Sequence, residues 1–160
     1  MRRSFMKRSL LALCLAVALV SWGVAAEKKE EEHGHEAHHG GCLNAMETCE
    51  VGHAETKLEG NTLKLWFVGG GTETGKAVKV SAASITLSVK VDDPKATTQT
   101  LTLQPKPNEL AEEKVGDCAT FEGKADFLNG AKKFNATGEV EFKGKKRKIV
   151  IQYPEGYDPD

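Results

Sequence analysis

The amino-acid sequence predicts an all-β domain, an antiparallel β-sandwich of immunoglobulin-like type with six to eight short strands. Two observations carry this prediction. Apolar and polar residues alternate with period 2 in several short runs rich in β-branched residues, which is the pattern of strands with one buried face. Groups of Gly, Pro, Asn and Asp separate these runs at short intervals, as they do in β-sandwiches.

The alternating runs begin after about residue 52. Their apolar positions, in chain order, are Leu63, Leu65 and Phe67; Ile85, Leu87, Val89 and Val91; Leu101 and Leu103; Val140 and Phe142; and Ile149 and Ile151. Residues 108–116 are compatible with one or two helical turns, and residues 125–133 with another short turn or helix. The Pro- and Gly-rich end, 153–160, carries two tyrosines that we expect to pack back onto the edge of the sheet.

The N-terminus has the organisation of an export signal. A basic start is followed by the apolar stretch 10–26 and by small residues, which predicts a signal peptide over 1–26 with cleavage after Ala26. The pair Arg2-Arg3 also resembles a twin-arginine signal, so both the Sec and the twin-arginine routes stay open. A retained membrane anchor is the alternative, but the apolar stretch is short for a spanning helix. The expected location is the periplasm or the extracellular space.

The processed chain divides into a tail and a domain. Residues 27–41 are charged, His-rich and without apolar periodicity, so we expect a disordered tail followed by the β-sandwich over 42–160. The predicted signal peptide, residues 1–26, holds four basic and no acidic residues, which leaves 18 basic and 23 acidic residues in the processed chain. This mildly acidic balance argues against a nucleic-acid partner, because such a partner requires a basic face. After cleavage no integral membrane segment is expected.

Side chains that favour transition metals are concentrated in one short window. It contains every histidine of the chain: His33, His35, His38, His39 and His53. Cys42, Met46 and Cys49 lie in the same window. Imidazole and thiolate suit Cu, Ni, Zn and Co, and neutral imidazole binds a cation near pH 7 without a large proton penalty. The window predicts metal binding, either loose capture by the tail histidines or a firmer site in which His53 joins Cys42 or Cys49.

Three cysteines remain after export into an oxidising compartment, namely Cys42, Cys49 and Cys118. An odd number allows one disulfide and one thiol, or ligation of a metal by some of them. The sequence leaves all three pairings open. A solvated tail without a role and one structural disulfide is therefore the alternative to a metal site.

No enzyme signature is present. The segment Gly70–Lys76 fits the spacing of a phosphate-binding loop, but Ala77 stands where a magnesium-binding hydroxyl is required. The residues that follow predict a strand, so no helix N-terminus would face a phosphate. The expectation is a Gly-rich connection, with no nucleotide bound and no catalytic residues.

Several of these pieces, from His38 to Phe142, carry a resemblance that covers about two thirds of the chain. They are His39-Gly40-Gly41, His53-Ala54-Glu55, the strand 62–68, a Gly-rich turn, residues 77–80, 85–87 and 100–103, and a late Gly-rich hairpin. In this arrangement the chain resembles small exported His-rich β-proteins, related to N-terminal domains on the adaptors of heavy-metal efflux pumps. The resemblance implies an envelope protein that handles copper or divalent metals, and it implies no characterised activity. Cys42 and Cys49 depart from the usual pattern.

The first hypothesis is therefore an exported, non-enzymatic metal-binding protein, a buffer or chaperone that serves an efflux adaptor. In it His33, His35, His38 and His39 capture ions, while His53 with Cys42 or Cys49 forms the firmer site. The alternative is a structural or protein-interaction sandwich with one disulfide and no metal role. An accessory subunit of an enzyme, exported folded, is a third hypothesis.

Overall fold

The computed structural model describes residues 36–159. The predicted signal peptide and residues 27–35 of the predicted tail, with His33 and His35, lie outside the described residues.

Eight antiparallel strands make up the described fold. Their bounds are β1 Cys42–Met46, β2 Thr48–Glu59, β3 Thr62–Gly69, β4 Ile85–Val91, β5 Gln99–Pro105, β6 Thr120–Lys124, β7 Phe134–Phe142 and β8 Lys145–Tyr153. The prediction of an all-β antiparallel fold with six to eight strands is confirmed.

All eight strands belong to one sheet with the order β1-β2-β3-β6-β5-β4-β7-β8. The sheet curves round until its two outermost strands meet, so that it is nearly closed. Along this meeting line, which we call the seam, the Asn44 side chain of β1 accepts a hydrogen bond from the backbone N–H of Gln152 in β8 (2.9 Å). Closure largely removes the exposed strand edges at which other chains could pair.

The inward-facing side chains fill the interior with apolar residues from all eight strands. Leu63, Leu65 and Phe67 of β3 are fully buried, as their alternation with polar neighbours predicts. The rings of Phe121 and Phe142 both lie 5.9 Å from the ring of Phe67, measured between centroids. The aromatic cluster therefore joins β3, β6 and β7 across the interior.

The seam is sealed by a polar network and by the C-terminal segment. Asn44 is fully buried, and its amide also donates to the carbonyl of Ala54 (3.1 Å) and to the hydroxyl of Thr56 (3.2 Å). The backbone of Tyr157 accepts from Ala45 N–H (2.7 Å) and donates to the carbonyl of Leu43 (3.2 Å). The C-terminal segment, which contains Tyr157, thus pairs with the edge strand β1.

The only helical elements of the described residues are single 3₁₀ turns at Gly71–Glu73, Glu109–Ala111 and Asp126–Leu128. Two of them fall within the segments predicted to form short turns. Within residues 36–159 no helix reaches the length and apolarity that crossing a bilayer requires.

Candidate metal-binding site on the outer face of β2

The outer face of β2 carries a buried carboxylate. Because side chains alternate along a strand, His53, Glu55 and Lys57 point away from the core side occupied by Ala54. Glu55 lies directly opposite Trp66 of β3 and opposite Leu43 of β1 in the register of the sheet. The Glu55 side chain is nevertheless only 1% exposed, so it needs hydrogen-bond donors to offset its desolvation.

Those donors come from the chain segment that leads into β1. One carboxylate oxygen, Oε1, accepts from the backbone N–H of His39 (2.7 Å) and from that of Gly41 (3.1 Å). The other oxygen, Oε2, lies 2.8 Å from Nδ1 of the His39 ring. Hydrogen bonds to an ionised carboxylate are the stronger kind, and three of them converge on this group. We call Glu55, His39, Gly41 and Trp66 the His39 anchor.

The His39 ring is held on two sides. It stacks on the indole of Trp66, with ring centroids 4.5 Å apart and ring planes 4° from parallel. Its Nδ1 faces Glu55, which fixes the rotation of the ring in its plane. The side chain remains 39% exposed. An oriented, partly exposed imidazole can bind a cation without losing much side-chain conformational entropy.

Gly41 allows the segment to lie this close to the sheet. A Cβ at position 41 would come within 2.4 Å of the carbonyl oxygen of Thr56, so a side chain there would push the segment off β2. The sequence assigned residues 39–41 to a disordered tail, and for these residues the structure differs. The reason is the buried Glu55 carboxylate, whose need for donors is met by their backbone.

His38 lies beside the anchor, against the Gly-rich connection. A Cβ added to Gly75 would meet Nε2 of His38 at 2.2 Å, so only a glycine leaves room for the ring there. Gly75 also has a positive φ of 78°, which favours glycine. The segment resembling a phosphate-binding loop thus contains a 3₁₀ turn at Gly71–Glu73, and Gly75, which follows this turn, lies against His38.

His53 lies two residues before Glu55 on the same face of β2 and is 2% exposed. It pairs with Val68 of β3 and Ala45 of β1 in the register. His39 and His53 are therefore brought to one face of the sheet, the first partly exposed and the second buried.

The thiols of Cys42 and Cys49 both lie beside residues of the C-terminal part of the chain. Cys42 lies at the start of β1 with its thiol 3.9 Å from the carbonyl oxygen of Gln152, and the thiol of Cys49 lies 3.6 Å from a carboxylate oxygen of Asp158. Within residues 36–159 no group of three or more His, Cys, Asp or Glu side chains is arranged to hold a metal ion.

No disulfide joins Cys42, Cys49 and Cys118, all of which are thiols in the structure. The predicted alternative of one disulfide is thus not formed. Cys118 faces the core with no exposed surface.

We therefore expect three thiols per processed chain in denaturant and slow labelling of two of them in the native state. Burial raises the pKa of the Cys42 thiol and of the Cys118 thiol, which keeps both protonated and poorly nucleophilic at neutral pH. A thiol-reactive chromophore added at pH 7 measures the number of thiols in urea and the rate at which they react in the native state. A count of one thiol in urea without reductant would show that the oxidised chain adopts a different arrangement.

No protein-family model, curated protein or solved structure matches this chain. A function can therefore be inferred only from the residues of the chain itself. Of those, Glu55 and Trp66 are central to the anchor, and neither is among the site residues predicted from the sequence. The signal that the sequence contains is a glutamate two positions after His53.

A second surface feature lies far from β2 in the sequence. Leu110 is 98% exposed and Val115 is 64% exposed, both in the connection between β5 and β6. This connection is braced: the Glu113 carboxylate accepts from the N–H groups of Asn108 (2.8 Å) and Ala119 (3.1 Å). The side chain of Lys79 donates to two of its carbonyl groups. An ordered loop thus presents apolar side chains to solvent.

Proposed function

We propose that the processed chain is an exported, non-enzymatic metal-binding protein. It would act as a buffer or chaperone for a transition metal of the series Cu, Ni, Zn and Co. The tail histidines would collect the ion, and the His39 anchor would supply a ligand of fixed orientation. The predicted export signal and the resemblance to domains of efflux adaptors support a role in the periplasm beside such an adaptor.

The observation that carries this proposal is the orientation of His39 by a buried carboxylate. Histidines that ligate metals almost always give their other ring N–H to a carboxylate, a carbonyl or a water. Nδ1 of His39 lies 2.8 Å from Glu55 Oε2 while the ring stays partly exposed, which is the same arrangement. His33, His35 and His38 lie within six residues of it in the sequence.

We do not include the predicted firmer site of His53 with Cys42 or Cys49 in this proposal. Cys42 and Cys49 lie beside Gln152 and Asp158, near the C-terminal end of the chain. His39 takes the place of these three residues in the proposal, because its ring is both oriented and partly exposed.

A second candidate function is a structural or protein-interaction module. The specific observation in its favour is Leu110, whose almost complete exposure on a braced loop leaves apolar surface that a partner protein could cover. In this case Leu110→Ser would abolish binding of the partner and leave metal affinity unchanged.

Calorimetric titration of the processed chain, Glu27 to Asp160, with Cu²⁺, Ni²⁺, Zn²⁺ and Co²⁺ tests the first proposal. We expect at least one of these ions to bind with a dissociation constant below micromolar. A variant in which His33, His35, His38 and His39 are all replaced by Asn should lose at least 100-fold in affinity. Dissociation constants above micromolar for every ion would contradict a metal-handling function and leave the interaction module.

A further inference from the structure

We infer that Glu55 is a positioning residue for metal binding, because it holds the His39 imidazole in the tautomer with its proton on Nδ1 and its lone pair on Nε2. Nε2 of His39 is then the ligand atom. This inference rests on the proposed metal-binding function and specifies the atom and the residue that create its site.

The tautomer follows from counting donors and acceptors. An ionised carboxylate only accepts hydrogen bonds, and it has about four lone-pair sites. Two backbone N–H groups point to Oε1, at 2.7 and 3.1 Å, and the ring nitrogen Nδ1 lies 2.8 Å from Oε2. A lone pair on Nδ1 would face a lone pair on Oε2 at that distance, which is repulsive. Nδ1 therefore carries the proton, and in the neutral ring Nε2 has the free lone pair.

The rest of the anchor keeps this lone pair in place. Stacking on Trp66 restricts the tilt of the ring, and the bond to Glu55 restricts its rotation in plane. Loss of such a carboxylate partner typically lowers the metal affinity of a histidine ligand by about 10- to 100-fold. Among first-row divalent ions, an imidazole site of this kind favours Cu²⁺.

Glu55→Gln isolates the effect of the tautomer. The glutamine oxygen can still accept both backbone N–H groups at the Oε1 position, whereas its NH₂ group replaces Oε2 and donates a hydrogen bond. Nδ1 of His39 must then accept, which moves the ring proton to Nε2 and blocks the ligand atom. Glu50→Gln, an exposed glutamate on the same strand, is the matched control.

The experiment combines two measurements on the processed chain. Nitrogen-15 NMR of the histidine rings without metal reports the tautomer of His39, and calorimetry with Cu²⁺ reports affinity. We expect Nδ1–H in the wild type and in Glu50→Gln, and Nε2–H in Glu55→Gln. The copper affinity of Glu55→Gln should fall by about 10- to 100-fold, and that of Glu50→Gln should change less than twofold.

A second variant keeps the inference testable if Glu55→Gln folds poorly. In His39→Asn the side-chain amide can still donate to Glu55, but no ring nitrogen is left to bind copper. We expect the same loss of affinity as for Glu55→Gln, and no further loss in the double variant, because both changes remove one interaction.

Three outcomes would overturn the inference, and they are distinguishable. An Nε2–H tautomer in the wild type contradicts the donor count. A wild type that binds copper with an affinity that neither variant reduces by more than threefold places the ligands elsewhere and leaves the proposed function intact. A wild type that binds no copper, nickel, zinc or cobalt removes the proposed function itself.

Discussion

Replacing Asn44 by Ala is expected to lower the free energy of unfolding by about 3 kcal/mol. The substitution removes the acceptor of the Gln152 N–H at the seam and two donor bonds, to Ala54 and Thr56. A buried polar group left without a partner costs about 1–3 kcal/mol, and the lost side-chain volume adds a cavity term. Urea denaturation followed by circular dichroism measures the change.

The matched control is Asn135→Ala, an asparagine on β7 whose side chain is exposed. We expect it to change stability by less than about 0.5 kcal/mol, as is usual for surface positions. If Asn44→Ala also stayed within 1 kcal/mol of the wild type, the buried amide would not be what holds β1 to β8. The backbone pairing of Tyr157 with β1 would then carry the closure.

Replacing Phe67 by Ala is expected to have the largest effect of any substitution considered, about 4 kcal/mol. Its ring is fully buried and contacts the rings of Phe121 and Phe142, so that its loss leaves a cavity between three strands. The neighbouring aromatic residue, Trp66, lies on the opposite face of β3 and is partly exposed.

Trp66→Ala should therefore cost only about 1–2 kcal/mol, mainly through the lost stack on His39. The pair of variants compares an inner and an outer ring at adjacent positions of one strand. If both variants lost the same free energy of unfolding in urea denaturation, the assignment of Phe67 to the inner face and Trp66 to the outer face would be contradicted. Trp66→Ala should in addition weaken copper binding, which Phe67 variants that remain folded should not do.

The sequence predicted most of the strands because their alternation is regular. β4 shows this best, since its buried Ile85, Leu87 and Val89 alternate with exposed polar residues. β1, β2 and β6 were not predicted individually. Cys42–Met46 has no alternating pattern because Asn44, a polar residue, takes an inward position. Its amide forms hydrogen bonds at the seam.

The site could be predicted only in part. Composition drew attention to His38, His39 and His53, since it identifies residue types that bind metals. It could not identify Glu55, because a glutamate in a strand is usually a surface residue and its burial depends on the segment that folds over it. Nor could the spacing of Cys42 and Cys49 reveal that their thiols lie beside Gln152 and Asp158.

The most direct test of metal binding at His39 uses the fluorescence of Trp66. The chain has two tryptophans, and Trp22 lies in the predicted signal peptide, so Trp66 is the single indole of the processed protein. Copper(II) on Nε2 of His39 would lie next to the stacked indole and should quench most of its emission, with saturation near one equivalent, whereas Zn²⁺ should not quench. If calorimetry showed copper bound while the emission of Trp66 stayed unchanged, the ion would not be at His39, and the account of this site would be wrong.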